Sequence, residues 1–206
     1  MRIAAPLLLA FLAGCLSLSR EAPRQTRYVL DVERPARSAP AADGVLLVRQ
    51  FQSSAEAASR AFTYLHGEYE VEVDPYHGLL LPPSTAFEDA TARWLDASGL
   101  CARVVRPGTR EDPDWVLEGD LSTFRAVIDG QRPPAAEFVL SLTALDRQGR
   151  TVLWHRTYEV TEPVEDSTPV AFVAGWSRAL ARTLTETEAE LRSALQSGSA
   201  ESPAVR

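Results

Sequence analysis

Lysine is absent from this chain of 206 residues, and all 21 of its basic residues are arginine. Without lysine there is no P-loop lysine to hold a nucleotide phosphate, no Schiff-base lysine and no Ser–Lys dyad. Rossmann glycine, nucleophile-elbow and zinc-protease motifs are also missing. If the system in which this protein works hydrolyses a nucleotide, another protein must therefore carry out that step.

Histidine is scarce as well. His66 and His77 fall in predicted turns and His155 in a predicted strand, and none has a Cys, Asp or His neighbour at a metal-ligand spacing. The members of a Ser–His–Asp triad meet only in space, so spacing alone does not decide for or against an envelope hydrolase. Because nothing singles out a catalytic residue, the sequence predicts a non-enzyme with no cofactor and no metal site.

The composition is that of a globular protein, with 45% apolar and 24% charged residues and a net charge of −7. Its length favours a single domain with a real core. An acidic surface argues against nucleic acid as a partner and against electrostatic docking on anionic lipid.

The N-terminal segment predicts export. Arg2 is followed by a short apolar run that is about half the ~20 residues needed to cross a bilayer, which is typical of a signal peptide over residues 1–14. The run ends in Leu12-Ala13-Gly14-Cys15, which resembles a bacterial lipobox. That resemblance implies that Cys15 carries a diacylglyceryl group and an amide-linked fatty acid such as palmitate. The alternative is a plain signal peptide with an incidental cysteine.

The polar residues that follow read as a tether, so residues 15–27 are expected to form a lipidated cysteine and its linker. The linker from Leu16 to Thr26 reaches at most ~36 Å. If Cys15 is lipidated, Cys101 has no partner in the chain. A buried, inert thiol and an intermolecular disulfide are the two interpretations of Cys101.

The domain itself is expected over residues 28–195, followed by a disordered tail over 196–206. The pattern predicts strands at Tyr28–Leu30 and Val45–Phe51, a short helix from Ser53, and a hairpin of Ala61–Leu65 with Tyr69–Val73. In the second arm Tyr69, Val71 and Val73 share one face, and a solvated face explains Glu68, Glu70, Glu72 and Asp74 on the other. Pro75–Gly78 is predicted to be a turn. Trp115–Ile128, Phe138–Leu145 and Thr151–Thr161 predict an antiparallel meander.

Two helices are predicted. The first covers Ser84–Ala97, is capped by Ser84 or Thr85, and buries Phe87, Ala90, Trp94 and Leu95. The second covers Pro169–Leu195 and is capped by Thr168. Its predicted buried positions are Val173, Leu180, Leu184, Leu191 and Leu195, with Trp176 near one edge. The fold class is therefore α+β, with a mostly antiparallel sheet and both helices on one face.

The order of these features resembles that of the ABC-type transport auxiliary lipoproteins. The resemblance rests on the lipobox, Tyr28-Val29-Leu30, Val45–Phe51, Phe62–Leu65 through Tyr76, Pro82-Pro83 before a helix, and Trp115–Leu121 followed by Phe124. It covers essentially Cys15 to Leu195.

This resemblance implies an accessory lipoprotein of an MCE-type system. In such systems an ATPase, a permease and an MCE-domain protein move lipid or another apolar substrate across the periplasm. The implied partners are those proteins, the membrane through its lipid anchor, a lipid cargo and further copies of the chain. Leu16, directly after the cysteine, is consistent with sorting to the outer membrane, facing the periplasm. A structural envelope lipoprotein with no transport role is the alternative.

Overall fold

The computed structural model describes residues 24–200. Within them lie nine strands: β1 Thr26–Tyr28, β2 Val45–Val48, β3 Gln52–Ser53, β4 Ala61–His66, β5 Glu70–Leu79, β6 Arg103–Val105, β7 Trp115–Ile128, β8 Ala135–Asp146 and β9 Val152–Pro163. The helices are α1 Pro83–Ser98 and α2 Pro169–Ala200. No helix in this part of the chain is both long and apolar enough to span a membrane.

Strand β7 organises the sheet. One of its edges pairs with β8 along almost its whole length, and β8 pairs with β9, so the predicted antiparallel meander is confirmed. The other edge carries three short strands in succession, β2, β3 and β4, all parallel to β7. At the two ends, β6 pairs with β2, while β5 and then β1 follow β4.

The core lies between one face of this sheet and the two helices. Along β7 and β8 alternate side chains point to that face and are fully buried, among them Leu117, Leu121, Leu140 and Leu142. The predicted buried positions of α1 are confirmed, as are Leu180, Leu184, Leu191 and Leu195 of α2. The single α+β domain with a mostly antiparallel sheet and both helices on one face is thus confirmed.

Trp176 was expected near an edge of the buried face, and that expectation was wrong. Its side chain is 0% exposed at the centre of the core. Its ring stacks on Phe124 of β7 at a centroid distance of 4.2 Å and lies 5.3 Å from Phe62 of β4. The helix surface spacing placed Trp176 beside the leucine stripe, but the ring reaches over the point where β4 joins β7.

Several local predictions also need correction. No helix starts at Ser53, which ends β3, because the backbone N–H of Ser54 bonds to the carbonyl of Leu121 in β7. Neither Ser84 nor Thr85 caps α1; Pro82 holds the N-cap position without a side-chain hydrogen bond. At α2 the cap is as predicted, with the Ala171 N–H donating to Thr168 Oγ1 at 3.3 Å.

Two segments continue further than predicted. Helix α2 ends at Ala200 rather than Leu195, so part of the expected tail is helical, and residues 201–206 lie outside the described part. Strand β5 runs through the predicted turn at Pro75–Gly78. Between register pairs Thr63–Val73 and Ala61–Gly78 the strand carries a bulge, which absorbs the proline.

Candidate functional site

The three histidines lie apart and each has a local partner. His66 Nε2 is 3.1 Å from Glu72 Oε2, and His155 Nδ1 is 2.9 Å from Thr143 Oγ1. His77 Nδ1 is 2.8 Å from Asp74 Oδ2. Among residues 24–200 there is no group of three or more His, Cys, Asp or Glu side chains that could hold a metal ion.

Asp74 organises the bulge of β5. Its Oδ1 accepts the backbone N–H groups of Tyr76 and His77, and its Oδ2 accepts the Tyr64 hydroxyl at 3.2 Å. Burial acts to raise the pKa of Asp74, but the bonds from Tyr76 and His77 outweigh burial and hold that pKa below its ordinary value. Burial and the charge of Asp74 raise the pKa of Tyr64. Together with His77 Nδ1 these groups give Asp74 four hydrogen-bonding contacts, which hold the ionised carboxylate in the bulge of β5.

The predicted solvated face of the hairpin is confirmed for Glu68, Glu70 and Glu72, which are exposed. The opposite face is exposed as well, with Tyr69, Val71 and Val73 at 82%, 58% and 57%. The alternation was correct, but neither side of the strand from Glu70 to Val73 is buried.

Cys101 precedes β6, is 4% exposed and has no disulfide partner in the described part of the chain. Burial raises the pKa of its thiol, so the thiolate is disfavoured. The interpretation of Cys101 as a buried thiol is confirmed. The other predicted site residue, Cys15, lies outside the described residues, as do the predicted signal peptide and most of the predicted tether.

An apolar surface lies beside the edge strand β1. Val29 is 65% exposed, Leu80 53% and Leu81 38%, and the backbone N–H of Leu80 bonds to the carbonyl of Tyr28. A small cavity of 70 Å³ opens between these residues and α1, where Arg93 forms part of the wall. We call Val29, Leu80, Leu81 and Arg93 the β1-edge surface.

The β1-edge surface carries an unbalanced positive charge. Arg93 has no carboxylate partner in the described part of the chain, and the nearby Asp89 is paired with Arg106 at 2.5 Å. Exposed apolar groups beside an unpaired guanidinium are typical of protein contact surfaces.

The uncovered face of the sheet holds a second, larger recess of 690 Å³ beneath the β7–β8 hairpin. Its floor includes Leu65, Val127 and Ala135, which are successive register partners on β4, β7 and β8. Its wall contains Arg125, which is already bonded to Glu137 at 3.0 Å. Arg132 of this recess is likewise paired with Asp129, at 2.5 Å, so both of its guanidinium groups already have carboxylate partners.

A buried ion cluster ties the segment after β1 to both helices. Glu188 of α2 is 14% exposed and accepts from Arg34 at 2.8 Å, from Arg192 at 3.1 Å and from the indole N–H of Trp94 in α1 at 3.1 Å. Burial acts to raise the pKa of Glu188, but these hydrogen bonds outweigh it and the pKa lies below its ordinary value. The cluster is structural, since every partner is part of the fold.

Sequence reasoning missed the Glu188 cluster, and it did not name Leu80, Leu81 and Arg93 as neighbours of the predicted strand at Tyr28–Leu30. The spacing of Arg34 and Glu188, which lie 154 residues apart, gives no signal of their contact. The run Leu79-Leu80-Leu81 was a usable signal, since three apolar residues before Pro82-Pro83 cannot all be buried at a strand end.

Comparison with known families decides the classification. The sequence model of the ABC-type transport auxiliary lipoprotein component matches residues 28–187. The chain belongs to this family. The family resemblance predicted from the sequence is confirmed, and with it the association with an ABC transport system of the bacterial envelope. No protein of curated function matches the sequence.

Solved structures agree with the family assignment. Protein XCC0632 of Xanthomonas campestris is 26% identical, covers 84% of this chain and 99% of its own, and superposes with a TM-score of 0.74. The hypothetical protein CT253 of Chlamydia trachomatis, 8% identical, covers 73% of this chain and 98% of its own with a TM-score of 0.52. The second likeness concerns the fold alone.

Proposed function

We propose that this auxiliary lipoprotein is a non-catalytic component of an MCE-type transporter, anchored through lipid on Cys15, and that it acts through contacts rather than through a reaction. The observation that carries the proposal is the family match over residues 28–187. The matched region does not include the segment Leu12-Ala13-Gly14-Cys15, so the anchor rests on the sequence of that segment. The transported substrate is lipid or another apolar molecule, and the membrane is the outer membrane on its periplasmic side.

The described residues support a role through contacts. The histidines and the buried carboxylates are each occupied by structural partners. Strand β1, the first element after the tether, pairs with β5 alone among the strands of residues 24–200 and is an edge of the sheet. Because unpaired edges and adjoining apolar groups recruit other chains, we assign the contact with the MCE-domain protein to the β1-edge surface.

The anchor is tested by Cys15→Ala. We expect the variant to fold as wild type, because the described core begins after the tether, and to leave the membrane fraction. Two lipid groups hold a protein stably on a bilayer, whereas a variant without lipid has no anchor. Wild type that carries no labelled fatty acid yet pellets with membranes at high salt would contradict the anchor.

The partner contact is tested by Leu80→Arg in the full chain. This change introduces a charge at a position that is 53% exposed, so it should abolish co-purification with the MCE-domain protein without unfolding the chain. Val170→Arg is the matched control, because Val170 is 63% exposed at the start of α2. If the wild-type chain does not bind the MCE-domain protein at tens of micromolar concentration, a structural lipoprotein without a transport role is favoured.

A further inference from the structure

Strand β9 leaves a long edge of the sheet open. It pairs with β8 on one side and has no strand partner on the other within residues 24–200. It spans Val152–Pro163, whereas the other edge strands, β1 and β6, have three residues each. Unpaired N–H and C=O groups on such an edge are a template for another strand.

The open edge has room beside it. A groove of 350 Å³ lies between β9 and α2, bounded by Arg156 and Tyr158 on the strand and by Arg182 and Glu186 on the helix. An added strand would place alternate side chains in this groove and the others on the uncovered face of the sheet.

We propose that the occupant is a second copy of this chain, paired antiparallel through β9 about a two-fold axis at Thr157. In that register His155 lies opposite Glu159 of the other copy on the uncovered face. On the helix side Arg156 lies opposite Tyr158, repeating across the interface the approach of the Arg156 guanidinium to the Tyr158 ring, 5.9 Å within one chain.

Charge selects this register over its neighbours. A two-fold axis at Arg156 sets two guanidinium groups opposite each other, and an axis at Glu159 does the same with two carboxylates, which destabilises a sheet. An axis at Tyr158 leaves Arg156 opposite Val160. The axis at Thr157 gives every charged side chain of the edge's centre a complementary partner, as an isologous interface requires.

Cysteine cross-linking in the full chain tests the register. Thr157→Cys brings two thiols together at the axis, where paired Cα atoms lie about 5 Å apart, within disulfide range. Thr161→Cys is the matched control on the same face, because its two copies would lie eight residues apart along the strand, about 27 Å. The Cys15→Ala background leaves Cys101 as the chain's one natural cysteine, and Cys101 is buried.

We expect mild oxidation to convert the Thr157→Cys chain to covalent dimer and to leave the Thr161→Cys chain monomeric. Equal cross-linking of the two variants, or none in either, would overturn the proposal. The edge involves no residue before Val152, so the result is independent of whether Cys15 carries lipid.

Replacing the side chains at positions 155 and 159 distinguishes a loss of dimer contacts from a loss of folding. His155→Glu sets two carboxylates opposite each other, and Glu159→Arg removes the acid that faces His155, so each should lower the dimer fraction in sedimentation of the full chain. The two changes together set a carboxylate opposite a guanidinium and should restore the dimer. Two positions four residues apart on one strand do not touch within one chain. Loss of dimer in both single variants without recovery in the double variant would contradict the register.

Discussion

The two halves of the sheet are assembled in different ways. Strands β7, β8 and β9 follow each other in the chain, pair antiparallel along ten or more residues, and meet through short turns. Strands β2, β3 and β4 have six residues or fewer and reach β7 in parallel from far away in sequence. The meander carries its own pairing along the whole length of its strands. In the first half, β3 has no partner other than β7 in the described sheet, and β2 and β4 gain their second neighbour only from β7.

The helices reflect the same division. Helix α2 packs on β8 and β9, while α1 packs on β6 and β7. Trp176 and the Glu188 cluster are the points at which the two halves are joined, because each contacts elements of both. Substitutions at these positions therefore test whether the domain unfolds as one unit.

Trp176→Ala should have the largest effect. The side chain is fully buried and contacts β4 and β7 at once, so we expect a loss of roughly 3–5 kcal/mol in the free energy of unfolding. Denaturant titration followed by circular dichroism measures it. A loss confined to one of two separate transitions would show that the halves unfold independently, in contrast to a single cooperative domain.

Leu184→Ala and Trp94→Ala compare the two helices. Leu184 is 0% exposed and Trp94 4% exposed, and each change should cost about 2–5 kcal/mol of unfolding free energy through the cavity it leaves. Val170→Ala, at a position 63% exposed, is the control and should be nearly neutral. A cost below about 0.5 kcal/mol, the size of ordinary surface effects, would remove that helix from the core.

Glu188→Gln should cause the smallest loss of unfolding free energy at neutral pH. We expect roughly 1.5–3 kcal/mol, the usual contribution of hydrogen bonds to a charged group. The folded-state pKa of Glu188 lies below its ordinary value. Its stabilisation is therefore present above the ordinary carboxyl pKa and is lost as the pH falls through the folded-state pKa. Unfolding free energies of wild type and variant should converge in acid. A difference that stays constant down to low pH would assign the effect to packing.

The meander and the two helices could be predicted from the sequence because their signals are local. Alternation along Trp115–Ile128 and helical spacing from Phe87 to Leu95 fix which side is buried once the element type is known. The parallel addition of β2, β3 and β4 to β7 could not be predicted, since strands this short carry no mark of their partner. The β5 hairpin shows the limit: its alternation was predicted correctly, but alternation alone does not say whether a helix covers either side, and here both sides are exposed.

The candidate site residues likewise fall into those marked by their local sequence and those brought together only by the fold. Cys15 is marked by its local neighbours and remains a prediction, because it lies outside the described residues. The β1-edge surface is formed by segments some fifty residues apart, Val29 with Leu80 and Leu81, together with Arg93 of α1. No spacing rule brings such residues together before the sheet order is known.

The dependence of the first half on β7 also governs the order in which the sheet assembles. The backbone N–H of Val45 bonds to Asp114, 69 residues later, and β3 has no partner other than β7 in the described sheet. Until β7 is in place, β3 is unpaired and β2 and β4 each lack one neighbour. Contacts between residues so far apart in sequence require long loops to close first, which slows folding. The sheet without β7 thus presents open strand edges on β2, β3 and β4, and a chaperone that shields extended segments would act on this stage.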